Sequence, residues 1–459
     1  MNQIISKNIN KYLVISLIFS LIPLSLIIGT LALNLNIILF IIINLIFFKK
    51  EIFKRKYSDI DKLIIIFFIF ILFTGIFNTI ENYYFGDREY IYLPGMPMAG
   101  DANYDFTILI KTLAFMRYLF VYLIIRFLIE KNYLKFNLFF ISASACCAFV
   151  AFDIIYQFFV GVDLFGLQSP DGTRGMVNRK LSGPFGDELI AGSFIQRFSL
   201  FLLFLFPIFS KIKNRALSLS VFLFSFCLLC CSLIMSGNRM PFVLFLMSIF
   251  LIMITEKKLR KYFILFTMLV GFIFLTLFYS NKTIQTNFSS FSKQVTTIMK
   301  SINPINILND NELAGKKMPK HFYQWGTFYD TWLMNKFIGG GVRSFRTNCL
   351  QSEKHNLNQM SICSTHPHNF YLEILAELGI FGLIIFSIIV LKICWSYFLI
   401  KISSKENSIN DKILMPFFML FFVEIFPLKS SGSFFNSTNA TCIFIFLAIT
   451  AALINNKKT

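Results

Sequence analysis

Charge is scarce in this sequence. Only 15% of the 459 residues are Asp, Glu, Lys or Arg, against about 25% in soluble domains. Hydrophobic side chains make up 56%, Phe alone occurs 60 times, and the mean hydropathy is +0.67. One soluble core could not hide that much apolar surface, so a soluble enzyme, a secreted disulfide scaffold and a disordered chain are all excluded. Strict alternation of apolar with polar residues is missing too. That removes a membrane β-barrel, because the apolar runs here are apolar on every side. No internal repeat stands out, which weakens an inverted-repeat transporter. Acids are few, 24 against 43 Lys and Arg, for a net charge of +19. Such a balance invites a nucleic-acid partner, but most of the cations sit in short clusters between apolar runs, where they orient helices. No nucleic-acid partner is therefore expected.

What is present is a series of spans of about 20 apolar residues, the mark of a polytopic helical membrane protein. They begin near Tyr12, Leu33, Leu63, Thr107, Leu138, Leu189, Leu217, Pro241, Tyr262, Tyr371, Ile413 and Thr441. The expected fold class is thus all-α, with about 12 transmembrane helices. The second run is the shortest and carries Asn34 and Asn36, so eleven is the alternative count. With the amino terminus inside, the internal segments hold 22 Lys and Arg and the short external loops 6. By the positive-inside rule both termini are then cytoplasmic. Lys7 and Lys11 precede the first run, but no small-residue cleavage site follows it, which suits a retained signal-anchor. Three segments are expected: helices 1–9 with short loops over residues 1–279, one large external loop over 280–370, and helices 10–12 over 371–459.

The loop 280–370 interrupts the membrane pattern, and long loops of this kind are usually functional. It holds ten Lys and Arg against four acids, together with all four histidines of the chain: His321, His355, His366 and His368. Seven cysteines fall in spans, where Cys acts as a small apolar residue. Cys349 and Cys363 alone are external, and in an oxidising compartment they could pair across Arg346 and His366. There is no CxxC pair or metal-spaced set in the loop. Outside the membrane Asp187-Glu188 is the nearest approach to a carboxylate pair, so no metal site is expected.

Two elements near the end of the loop carry chemistry. Gly339-Gly340-Gly341, followed by Arg343, permits a tight turn with exposed N–H groups that can receive an anion. His366-Pro-His368-Asn369 directly precedes a long apolar run, which sets His368 and Asn369 at a helix amino terminus. That end favours phosphate. Its field disfavours a protonated imidazole, leaving His368 fit to accept a proton; a capping or interfacial histidine is the plainer alternative. Glu373 and Glu377, four apart, share a helix face one turn below His368. Either could orient the loop or pair with Arg343, and Glu373 could simply be interfacial. Within or near other spans stand Lys111, Arg117, Asp153, Arg197 and Glu424. Such groups are costly in lipid and usually line a cavity or pair with one another.

The order His368-Asn369, nine residues, Gly379, two residues, Gly382 resembles the signature of the O-antigen ligase family. The wider superfamily includes Wzy-type O-antigen polymerases and some protein O-oligosaccharyltransferases. Further resemblance lies in Arg179-Lys-Leu-Ser-Gly183-Pro-Phe-Gly186-Asp187-Glu188, in Ser236-Gly-Asn-Arg239, and in the glycine turn with Arg343, so that it spans roughly residues 180–390. The resemblance implies a GT-C-like glycosyltransferase of the bacterial inner membrane with its active site on the periplasmic side. Such an enzyme takes a glycan from undecaprenyl diphosphate and joins it to an acceptor: lipid A-core for a ligase, another lipid-linked repeat for a polymerase. It further implies that His368 is the essential loop histidine and Arg239 a diphosphate contact. Arg343 is the first choice for a second contact, with Arg346 and Arg179 behind it, and His366, Asn369, Glu377, Gly379 and Gly382 in support. Arg117 and Arg197 could also help hold the diphosphate, with Asp153 and Glu424 neutralising them. An inverting, metal-independent displacement without cofactor is expected, and ligase is preferred because the His-Asn-Gly-Gly spacing is associated with it. The intramembrane charges favour the rival class, a polysaccharide or lipid transporter.

Overall fold

A computed structural model describes residues 2–85, 104–170, 180–210, 214–256, 260, 263–302, 320–349, 363, 366–403, 409–429 and 432–456. In chain order the helices are α1 (Asn2–Ser20), α2 (Ile22–Ile28), α3 (Thr30–Phe48), α4 (Asp59–Phe85), α5 (Tyr104–Phe115) and α6 (Arg117–Glu130). Next come α7 (Phe136–Val160), α8 (Ala191–Phe209), α9 (Arg215–Met235), α10 (Arg239–Thr255), α11 (Phe263–Ser280) and α12 (Lys282–Ile302). The last are α13 (Lys320–Met334), α14 (Phe345–Asn348), α15 (Phe370–Ser403), α16 (Ile409–Glu424) and α17 (Ser437–Asn455). Among the described residues the sole extended pairing is an isolated bridge between Val162 and Gln168. The chain is a polytopic helical protein. Each expected apolar run is helical, and among the described residues nine helical segments are long and apolar enough to cross a membrane. The bent pair Ile264–Ser280 and Lys282–Lys293 would make a tenth, whereas α10 and α16 have only 17 and 16 residues.

Helix limits follow local chemistry. Asn214 Oδ1 accepts from the N–H groups of Ala216 and Leu217 at the start of α9, and Asn436 caps α17 through Asn439 N–H; an Asn in this position satisfies donors that have no helical partner. At the far end of α7, Gly161 turns left-handed at φ 101° and closes the helix onto Gln157, the usual glycine C-cap.

The helices divide between two compact units. The first comprises Met1–Ile43, Leu128–Lys317 and Lys405–Glu424. Its centre is α7, packed against α1, α2, α8 and α9. Phe201 holds this core together, with its ring 4.9 Å from Phe140, 5.2 Å from Phe139 and 4.9 Å from Phe417. Arg197 and Glu424, both buried, meet through two hydrogen bonds of 3.1 and 2.6 Å. A charge in an apolar span persists when paired in this way. Beyond α11 the chain turns by 112°, and Asn281 restarts the helix by accepting from the N–H groups of Thr283 and Ile284. In α12 the apolar residues Ile284, Phe288, Phe291 and Val295 recur every three to four positions, one stripe of an amphipathic helix.

The second unit comprises Asn44–Phe127, Met318–Ser404 and Ile425–Thr459. Here α4 packs on α5 and on α15. Gly75 makes the α4–α5 approach possible, since a β-carbon there would lie 2.4 Å from Thr112 Oγ1. Phe115 is wedged among Phe68, Phe434, Phe435 and Phe444, and α17 is buried from Asn439 to Ile454. At the other end of α4, buried Asp61 accepts from Arg126 Nε at 2.8 Å and Tyr122 Oη at 2.6 Å, with Arg55 Nη2 3.1 Å away.

Candidate active site

The site in the second unit is built on a helix that breaks. Hydropathy runs without interruption through α15, yet Gly379 inside it adopts φ 67° and ψ −171°. In an unbroken helix the N–H groups of Ile380 and Phe381 would donate to Ala376 and Glu377. They donate instead to the carbonyls of Lys336 and Phe337, at 2.9 and 3.3 Å. The freed carbonyls of Ala376 and Glu377 accept from Gly340 and Gly341 N–H, at 3.2 and 2.8 Å. Two helical bonds are exchanged for four bonds to the glycine turn. The approach is backbone to backbone: a β-carbon on Gly379 would lie 2.2 Å from the Phe337 carbonyl oxygen, and one on Gly339 would lie 2.4 Å from the carbonyl carbon of Glu377. Gly382 answers a different need, since its β-carbon would lie 2.3 Å from Leu378 Cβ and 3.3 Å from Phe70 of α4. Gly379 and the glycine run thus serve one joint, and the run does not offer its N–H groups to an anion as expected: those of Gly339, Gly340 and Gly341 are taken by the carbonyls of Asn335, Ala376 and Glu377. Asn78 of α4 reinforces it, donating to the Gly339 carbonyl at 3.1 Å.

The joint presents Arg343. Its N–H donates to Glu377 Oε2 at 2.6 Å, and its Nη2 to the Phe435 carbonyl at 3.3 Å. Its backbone is left-handed, φ 60°, a conformation that costs a non-glycine residue energy and clusters at functional sites. Glu377 therefore orients the loop, as one of the two expected roles has it, by gripping the arginine's backbone. Glu373 is 2% exposed, and its two oxygens accept from Ser433 Oγ and Phe434 N–H, both at 2.5 Å. The charges of Arg343 and Arg346 act on both carboxylates.

The two histidines stand at the amino end of α15. Asn369 caps the helix, its Oδ1 accepting from the N–H groups of Tyr371 and Leu372 at 2.9 and 3.1 Å. Its Nδ2 reaches the Pro427 carbonyl at 2.7 Å. Trp325 Nε1 donates to the Pro367 carbonyl at 3.0 Å and so holds the His-Pro-His segment. The rings of His366 and His368 lie 4.3 Å apart, edge to face, and His368 has φ 56°. Two of the four described non-glycine residues with positive φ are thus Arg343 and His368. Burial, then the neighbouring His368 and the Arg346 charge, push the His366 imidazole down to about 4, so it is neutral near pH 7.

Arg346 lies on α14, half-buried, and its Nε finds no hydrogen-bond partner. Three residues on, Cys349 is joined to Cys363, with 5.8 Å between the Cα atoms; His366 follows three residues after Cys363. The bridge packs against Phe328, Phe345, Ala376 and Trp332. No group of three or more His, Cys, Asp or Glu side chains able to hold a metal occurs among the described residues.

Arg239 belongs to the first unit. It is the first residue of α10 and half-buried. The segment after Arg179 meets the turn before it, with Leu181 N–H donating to the Ser236 carbonyl at 3.0 Å. Gly192 permits the fit, since a β-carbon there would lie 2.7 Å from Asn238 Cβ. Two of the motifs singled out in the sequence are therefore neighbours. Arg179 itself lies outside the described residues, as does His355, and nothing is described of the His321 side chain. Of the other intramembrane charges, Arg117 donates to Tyr118 Oη and Ser437 Oγ, and Asp153 accepts from Leu164 N–H at 2.7 Å. The contributions of Trp325, Asn78 and Ser433 had no signal in the sequence, because each acts on a segment far along the chain.

No match to the chain is found among curated proteins. The family model described as O-antigen ligase (Wzy_C) matches residues 224–387. The matched stretch contains Arg239, Arg343, Arg346, His366, His368, Asn369, Gly379 and Gly382. The break in α15 and the capped histidine segment before it accordingly fall within the stretch of this polytopic membrane protein that is similar to the O-antigen ligase family.

Proposed function

We propose that this protein is a membrane glycosyltransferase that moves a glycan from undecaprenyl diphosphate to an acceptor hydroxyl at the periplasmic face of the bacterial inner membrane. The observation that carries it is one helix, α15, holding a histidine pair at its capped end and an arginine turn at its break. In the reaction the acceptor oxygen attacks the anomeric carbon and the bond from that carbon to the diphosphate oxygen breaks. The electron pair leaves with undecaprenyl diphosphate. The acceptor proton passes to His368, with His366 beside it. Arg343 and Arg346 hold the negative leaving group, since guanidinium offers bidentate donors to phosphate. Fixed cations aimed at developing charge are the usual source of such catalysis, and here they take the part a metal plays elsewhere. Displacement from the opposite face inverts the anomeric configuration.

The acceptor we assign is lipid A-core, making the protein an O-antigen ligase with both termini cytoplasmic. A polymerase would share donor and site. Transport is the weaker reading, because Arg197 and Glu424 are spent on each other. The test is transfer from an undecaprenyl-diphosphate glycan by His368→Ala and Arg343→Ala. Loss in both supports the assignment, and undiminished transfer in both overturns it. In a null strain, loss of all O-antigen from lipopolysaccharide, with long polymer left on its carrier, supports ligase; core bearing a single repeat means polymerase.

A further inference from the structure

A lysine in the second unit has nothing to hold. Lys111 lies on α5 within the span Phe106–Glu130 and is half-buried. Among the described residues it makes no hydrogen bond or ion pair. One turn before it, Ile108 meets the glycine joint: a β-carbon on Gly341 would lie 2.6 Å from Ile108 Cγ2. Residues three apart share a helix face, so Lys111 is on the face turned to the segment that carries Arg343. The charges of Arg343 and Arg346 both reach it, and of the acids only Glu377 does. Among the described residues Arg346 Nε likewise has no hydrogen-bond partner. The Arg343 guanidinium has the Phe435 carbonyl alone. The two carboxylates nearby are already engaged, Glu373 by Ser433 and Phe434, Glu377 by the Arg343 backbone. Three cations thus gather about two carboxylates in a partly dry site, and the excess cation is repelled by the other two.

We propose that Lys111, Arg343 and Arg346 form one cradle for a lipid-linked phosphate group, which Lys111 closes from the α5 side. The arginines supply the planar, two-pronged contacts and the lysine a compact point charge. The chemistry is that of a phosphate or diphosphate ester; the donor's diphosphate and phosphates on the acceptor are its two sources. That choice of ligand rests on the proposed glycan transfer, whereas the anion cradle does not.

The test uses the full chain in nanodiscs, titrated with inorganic pyrophosphate and followed by thermal shift. Lys111→Gln is expected to weaken pyrophosphate binding about tenfold or more, as befits loss of a charge-assisted contact, and Lys111→Arg to restore most of it. Lys111→Met is expected to raise the melting temperature of the free protein while losing the pyrophosphate response, an opposition that a structural lysine would not produce. Unchanged pyrophosphate binding in Lys111→Gln, or a lower melting temperature in Lys111→Met, overturns the cradle. In the transfer assay, a raised donor KM with kcat nearly kept assigns the donor diphosphate, and a raised acceptor KM alone assigns the acceptor phosphates. Pyrophosphate binding that depends on Lys111 in a protein without transfer activity would leave the cradle standing and remove the glycosyltransferase reading.

Discussion

Replacing Gly379 by alanine isolates the joint in α15. The residue holds φ 67° and ψ −171°, a region nearly closed to side chains, and forcing one into it costs on the order of 1–3 kcal/mol. The new methyl group would also stand 2.2 Å from the Phe337 oxygen and 2.6 Å from Ile338 N. These are backbone atoms that cannot swing aside, so the glycine turn must withdraw from the helix. Withdrawal breaks the four exchanged bonds, each worth about 1 kcal/mol net. The two helical bonds re-form, so the net loss is about 2 kcal/mol and the sum with the strain about 3–5 kcal/mol, among the largest effects single substitutions produce. Three further glycines calibrate it. Gly339→Ala meets backbone at 2.4 Å with φ 70° and should be nearly as damaging. Gly340→Ala meets only the side chains of Asn348 and Ser344 and should be milder. Gly326→Ala, in α13 with nothing within 4 Å, should be neutral or stabilising by about 0.5–1 kcal/mol, as glycine-to-alanine changes in helices are. Thermal unfolding of the four variants in nanodiscs gives the order. Gly379→Ala as stable as Gly326→Ala would refute the exchanged-bond joint.

Three other outcomes are expected. The unfolded chain binds a proton on His366 below its ordinary 6.5, and the folded chain only below about 4, so stability is full above 6.5 and falls as pH drops through that window; wild type should lose more thermal stability between these values than His366→Gln, and parallel losses would contradict it. Replacing both Cys349 and Cys363 by serine opens a loop of separation 14 and should cost about 3 kcal/mol by chain entropy, which unfolding curves with and without reductant would check; coincident curves count against it. Glu424→Gln strands buried Arg197 and should destabilise by about 3–5 kcal/mol, most of it regained in Arg197→Met/Glu424→Leu; a double variant as unstable as the single would show that the pair is not the cause.

Much of this architecture could be read from local pattern. Hydropathy alone located the apolar helices of the described residues, and a polar residue ahead of an apolar run revealed the cap at Asn369. The glycines of the signature were visible as residues, but their purpose was not. The break at Gly379 is imposed by carbonyls of Lys336 and Phe337, over forty positions away, and hydropathy is blind to that. The burial of Glu373 is illegible for the same reason, because Ser433 and Phe434 offset it from a distant loop. The polar stretch after residue 280 breaks the membrane pattern, and within it the spacing of Ile284, Phe288, Phe291 and Val295 marks a helix. Its abrupt 112° turn depends on Asn281, a single residue. Interleaved units cannot be seen locally at all, since each gathers three separate pieces of chain.

The joint in α15 also makes the helix a ruler. His368 precedes its first turn, and Arg343 is pinned two turns further on through Glu377. The separation between the proposed proton acceptor and the proposed anion clamp is therefore counted in peptide units of one rod. Adding a single residue between Phe370 and Ala376 would swing the clamp about 100° around the axis, which no rotamer change could undo. The register between the two groups is thus held by regular secondary structure, and drift in neighbouring loops leaves it untouched.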